Sequence, residues 1–148
     1  MSTIAEVAAR FAKLDLMKEA QIAIGKTSKD MIKAQIQQRV EQGIDGKGRK
    51  FARYAPFTRQ MKEFKGANPD IVSLTDTGAT NDLMFVDVEE DSFTIDSTGS
   101  LVPELEDKYG KDAYGLSIDD TFGQDYINNS LRPQLFEQIG KILELEIK

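Results

Sequence analysis

The apolar residues of this chain change period along its length, and that change dictates helices at both ends with a β element between them. In the N-terminal segment Ile4, Val7, Ala8, Phe11, Leu14 and Met17 recur at steps of three and four. This is one stripe of an amphipathic helix, predicted over residues 3–24. Gly25 is its candidate C′ residue, and Thr27 or Ser28 caps a second helix over residues 28–42, where Ile32, Ile36 and Val40 repeat every four positions and Gly43 marks the end. Between residues 82 and 97 the period falls to two. Leu83, Phe85 and Asp87 oppose Met84, Val86 and Val88, and Phe93 and Ile95 alternate with Thr94 and Asp96 across a polar tip, Glu89-Glu90-Asp91-Ser92. That pattern is a β-hairpin. Ile127, Leu131, Leu135, Ile139, Ile142 and Leu143 then restore helical spacing, which predicts a closing amphipathic helix over residues 125–147 with Pro133 near its start.

The connections are read from their turn formers. Gly43, Gly46 and Gly48 alternate with Asp45, Lys47, Arg49 and Lys50, so residues 43–57 read as an irregular loop carrying positive charge outward. Residues 57–65 allow a short helix stopped by Gly66, Asn68 and Pro69, and Ile71-Val72-Ser73-Leu74 reads as a short strand or extended lead-in to a turn at Thr75-Asp76-Thr77-Gly78. Residues 97–125, with Gly99, Pro103, Gly110, Gly115 and Gly123, read as another strand or an extended arm. The expected class is α+β in one domain of 148 residues: N-terminal helices, a central antiparallel sheet over about residues 71–122 built round the hairpin, and the C-terminal helix packed on it.

Composition narrows the chemistry. The chain has no cysteine and no histidine, which excludes a disulfide framework, a thiolate nucleophile, an imidazole base and imidazole or thiolate metal ligands. An enzyme built from it would rely on carboxylates, Lys, Ser/Thr, Tyr or a bound metal. Glu89-Glu90-Asp91 reads as a solvated acidic turn and lacks the spacing of a calcium loop; Asp119-Asp120 reads as a surface pair. Gly46-Lys47-Gly48 lacks the spacing and preceding strand of a phosphate-binding loop. The expectation is therefore no catalytic site, no metal and no cofactor. Residues 1–24 are broken by charges, so neither a signal peptide nor a membrane span is expected, and the absence of cysteine is compatible with a reducing cytosol.

Charge is distributed unevenly: residues 47–65 carry a net +6 and residues 70–125 a net −13. A split of this size in a small chain implies pairing within the molecule or head-to-tail contact between copies. The basic run Lys47, Arg49, Lys50, Arg53, Arg59, Lys62 and Lys65, interleaved with Phe51, Tyr54 and Phe57, is the candidate binding segment. Contact with another protein is its first reading, and an alternative is a small nucleic-acid-binding or assembly-accessory module with rings stacking on bases. The three aromatic residues, at steps of three, suit anchoring of the loop to the core better than stacking on bases.

In order, Gly46-x-Gly48-x-x-Phe51-x-x-Tyr54-x-x-x-Thr58-x-x-x-Lys62, then Val72-Ser73-Leu74-Thr75-Asp76-Thr77-Gly78, then a hairpin, then Lys108-Tyr109-Gly110 to Phe122-Gly123 and a helix after Arg132-Pro133 resemble the virion morphogenesis, or tail-completion, family of tailed phages. The resemblance spans about residues 28–145. It departs from the family pattern at Ala79-Thr80, where a large apolar residue is usual and Leu83 and Met84 stand in for it. The family implies a structural, non-enzymatic virion protein, made in the host bacterial cytoplasm and placed in the phage neck. There it forms a ring with copies of itself, between a portal-side connector and the tail proteins. Such a ring gives the charge split a use, since a basic segment on one copy meets an acidic one on the next. Reversal of Arg49, Lys50 and Arg53 to Glu is then expected to weaken assembly without changing the monomer's circular dichroism. An acidic face over residues 70–125 also suits the wall of a conduit through which DNA passes in transient contact.

Overall fold

A computed structural model describes residues 3–12, 14–66, 68, 70–74 and 79–143. The expected first helix is two helices, α1 (Ile4–Ala12) and α2 (Leu16–Lys26). The break follows from Asp15, whose side chain accepts the Lys18 amide at 3.2 Å and so caps α2 where the apolar stripe alone would run on. Gly25 lies inside α2 instead of ending it. The chain bends two residues later at Thr27, whose hydroxyl turns back to the Ala23 carbonyl at 2.7 Å and meets the Tyr126 hydroxyl at 2.8 Å. It therefore flanks α3 (Ser28–Gln42) without capping it by a side-chain bond. Gly43 ends α3 in the left-handed conformation, φ 60°, as its position predicts.

The Ile32-Ile36-Val40 stripe is only the margin of the face α3 buries: Ile32 and Ile36 pack half-buried against the core, Val40 is 46% exposed, and the fully buried residues are Met31, Ala34, Gln35, Gln38 and Arg39. The reason is backbone satisfaction. Two irregular segments, residues 43–46 and 113–117, pack on this helix, and their polar groups need partners away from water. Gln38 Nε2 donates to the carbonyls of Ile44, Asp45 and Gly115 at 3.1–3.2 Å, and its Oε1 accepts the Ser117 amide at 2.8 Å. Gln35 Nε2 reaches the Ala113 and Gly115 carbonyls at 3.3–3.4 Å.

The short helix begins one residue earlier than expected, as α4 (Pro56–Phe64) with proline in its first turn, so the basic loop ends at Ala55. The strand or extended lead-in expected at residues 71–74 forms no strand, and Leu74 takes a left-handed backbone, φ 57°; a single turn, α5 (Ala79–Asp82), leads into the hairpin of β1 (Met84–Val88) and β2 (Phe93–Ser97). Met84 pairs with Ser97 and Val88 with Phe93 in antiparallel register, and the tip is closed by the Glu89 amide on the Ser92 carbonyl at 2.8 Å. The class is α+β, with a hairpin and a C-terminal helix. Among the described residues the sheet is this one hairpin, so α3 takes the central place expected of a wider sheet.

The strand or arm expected in residues 97–125 is instead helical at both ends. Pro103 opens α6 (Val102–Tyr109), where Leu105 and Tyr109 lie one turn apart, and Asp120 precedes α7 (Thr121–Tyr126). α7 continues through a π-helical segment, Ile127–Leu131, into α8 (Arg132–Leu143). Pro133 lacks an amide and cannot complete the α-helical ladder, and the π segment takes up that defect just before it. One core gathers Met31, Phe51, Tyr54, Val72, Leu74, Met84, Ile95, Tyr114, Leu116 and Tyr126. No helix among the described residues is long and apolar enough to cross a membrane. The turn expected at residues 75–78, Pro69 and the end of the closing helix at residues 144–148 lie outside the described residues.

Candidate functional site

The basic segment is divided by the fold into two places. Its first part is organised by Asp45, 4% exposed, whose carboxylate accepts the amides of Lys47 and Arg49 at 2.9 and 3.0 Å and the Arg49 guanidinium at 3.0 Å. An Ile44–Lys50 bridge closes the loop, and Gly48 adopts φ 78° within it. Lys47 and Arg49 then reach Asp112 at 3.3 and 3.6 Å, and Arg59 reaches Asp70 at 2.7 Å. Part of the charge split is thus pairing within the molecule. Reversing Arg49 would break internal ion pairs as well as any external contact. Lys50 and Arg53 are exposed.

The aromatic residues separate in the same way. Phe51 and Tyr54 are both 9% exposed; Phe51 meets Tyr109 edge-on at 5.6 Å, and the Tyr54 hydroxyl accepts the Ser73 amide at 3.1 Å. They anchor the loop. Phe57 does not, being 73% exposed, because it falls on α4 and turns with that helix.

The second place is a groove of about 400 Å³ between α4 and α6. Tyr54, Met61, Leu101, Leu105 and Tyr109 give it apolar walls, and Lys62, Lys65 and Lys108 stand along it. Lys62 Nζ lies 5.4 Å from the centre of the Tyr54 ring and Lys108 Nζ 5.2 Å from that of Tyr109, so ring faces hold both cations in position. No carboxylate lines the groove among the described residues. Sequence reading missed Lys108, Leu101, Leu105 and Tyr109. Lysine at position 108 sits inside the acidic block, 43 residues beyond Lys65, and only the helical spacing of Leu101, Leu105 and Tyr109 signalled a shared face.

Two further polar features lie beside the groove. Arg39 is fully buried, with Nε on Gln35 Oε1 at 2.8 Å, Nη1 on the Ser73 carbonyl at 3.0 Å, Nη2 on Asn81 Oδ1 at 2.5 Å, and its guanidinium 4.9 Å from the centre of the Tyr114 ring. Burial lowers its pKa to about 10, opposed by the charge interaction with Tyr114, and among the described residues no carboxylate pairs with it. Tyr114 itself is fully buried, its hydroxyl has no hydrogen-bond partner among the described residues, and burial raises its pKa. On α6, facing β2, a hydrogen bond to Asp96, then partial burial and the repulsion of that carboxylate, push Glu106 up to about 7 against the pull of Lys111.

The sign of this last effect gives a measurable result. A carboxyl whose pKa rises on folding contributes stability that is present below the unfolded value near 4.5 and lost as pH climbs through about 7. Glu106→Gln is therefore expected to flatten the fall in melting temperature between pH 5 and 8. It should make the variant the more stable at pH 8, by about 1 kcal/mol once solvent screening is counted. Thermal denaturation across that range reads it; parallel curves for the two proteins would refute it.

Among the described residues no group of three or more carboxylates is placed to hold a metal ion. Compared with family models, with curated proteins and with solved structures, the chain matches none.

Proposed function

We propose that this chain is a structural subunit of a tailed-phage neck, a tail-completion or head-tail connector protein that acts by assembly and not by catalysis. The observation that carries the reading is the order of motifs over residues 28–145: a glycine-bearing basic loop, an aromatic and a tyrosine, a lysine-bearing helix, a hairpin and a closing helix. Supporting it, Phe51 and Tyr54 hold the basic loop against the core, while α4, the lysine-bearing helix, buries none of its residues and leaves Phe57 and Phe64 73% and 89% exposed. Exposed aromatic residues on a helix rimmed by cations suit a subunit made to be covered by neighbours. The neighbours are copies of itself and the portal-side and tail proteins.

Quantitative mass spectrometry of purified virions tests this. The expected result is a small, fixed number of copies per portal. Absence from virions that carry a complete neck overturns the reading.

A further inference from the structure

We infer that Asp96 of β2 and Glu106 of α6 ligate a hard divalent cation of the calcium class, with the buried hydroxyl of Tyr114 bonded to the cation's water. The site goes beyond the assembly reading above and does not depend on it.

The two carboxyl groups come from different elements and share a hydrogen bond. Both residues are half-buried, and Asp96 is fixed in place because its Oδ1 accepts the amide of Ser97 at 2.8 Å. Two carboxylates brought this close repel unless a proton or a cation joins them. Among the described residues no cation does so. Lys111 acts on Glu106 without forming an ion pair, and Arg39 is committed elsewhere, over the ring face of Tyr114 and on Gln35, the Ser73 carbonyl and Asn81.

Tyr114 gives the pair a third oxygen. Its side chain is fully buried, its hydroxyl has no hydrogen-bond partner among the described residues, and the charges of both Glu106 and Asp96 act on it. Leaving a buried hydroxyl unbonded is costly, and a bound ion or its water removes that cost.

The donor set selects the ligand. It holds oxygen alone, in a chain without histidine or cysteine, which suits calcium over zinc or copper. Calcium takes about six to eight oxygens in a flexible arrangement and accepts a carboxylate through both oxygens, so two carboxylates and several waters complete its shell. With only two negative ligands the expected Kd is weak, on the order of 1 mM.

Thermal unfolding of the full chain over a calcium series tests the site, at pH 8, where protons compete least for the pair, and against sodium chloride of equal ionic strength. About 10 mM calcium is expected to raise the melting temperature by about 4 °C. Asp96→Asn keeps an oxygen for the Ser97 amide, Glu106→Gln relieves the repulsion, and each should abolish the rise. Tyr114→Phe keeps the ring under Arg39 and sacrifices no hydrogen bond, so its stability without calcium should match the parent's while its calcium midpoint rises at least threefold. Terbium emission excited through tyrosine reads occupancy directly: in the parent it should saturate and be displaced by calcium, and in Glu106→Gln it should fall at least fivefold. A rise that sodium chloride matches, or one that either carboxylate variant retains, is general screening of an acidic chain and overturns the site. An unchanged midpoint in Tyr114→Phe overturns the hydroxyl's place in it.

Discussion

Arg39→Ala is expected to cost about 4 kcal/mol of stability, roughly 10 °C in melting temperature for a chain of this length. Two losses add. The side chain is among the largest fully buried ones, so truncation leaves a void that the surrounding core closes only in part. It also strips donors from Gln35, the Ser73 carbonyl and Asn81, three acceptors on α3, the irregular segment 71–74 and α5. Each then lies without that partner in a dry setting. Arg39→Met separates the two contributions, since it keeps most of the volume and abandons the bonds. Chemical denaturation of both variants checks the expectation: alanine well below methionine, and both below the parent. An alanine variant within about 1 kcal/mol of the parent would show that the guanidinium's burial costs as much as its bonds return.

The second large effect is steric. A methyl group at Gly123 would stand 2.0 Å from the Ser117 carbonyl oxygen and 2.8 Å from Ile118 Cα, so backbone has to move. The segment that must yield is the one whose Ser117 amide is held by Gln38, which ties the clash to the centre of the fold. Gly123→Ala is expected to destabilise by about 3 kcal/mol, at the upper end of ordinary overpacking. Gly25→Ala supplies the contrast: that glycine lies within α2 with nothing inside 4 Å of the added carbon, and the change should stabilise by about 0.5–1 kcal/mol. Denaturant midpoints of the two variants should move in opposite directions.

These cases also show which parts of the fold are readable from sequence. The hairpin was legible because one face is half buried and the tip is polar, so period two survives in the residue order. The end of α3 was legible because Gly43 answers a left-handed backbone. The burying face of α3 was not, since Gln35, Gln38 and Arg39 earn their interior place through bonds to loop carbonyls that hydropathy does not register. α6 was not legible either, since residues 97–125 read as a strand or extended arm, whereas Pro103 in the first turn opens a helix. The site was half legible. Its Lys62, Lys65 and Tyr54 stand in the basic run, whereas Lys108 reaches the groove only because α6 lies across from α4.

The π-helical segment Ile127–Leu131 carries one consequence for the far end of the chain. An extra residue in a helical turn rotates everything after it by about 100° relative to everything before it. Ahead of it, Tyr126 faces the bend at Thr27; beyond it, Gln138 Nε2 donates to the Glu19 carbonyl at 3.0 Å, and the Leu143 carbonyl receives Arg10. One continuous rod thus addresses two different partners, α3 and then α2 with α1, because a single surplus residue acts as a phase shift between two otherwise ordinary helices.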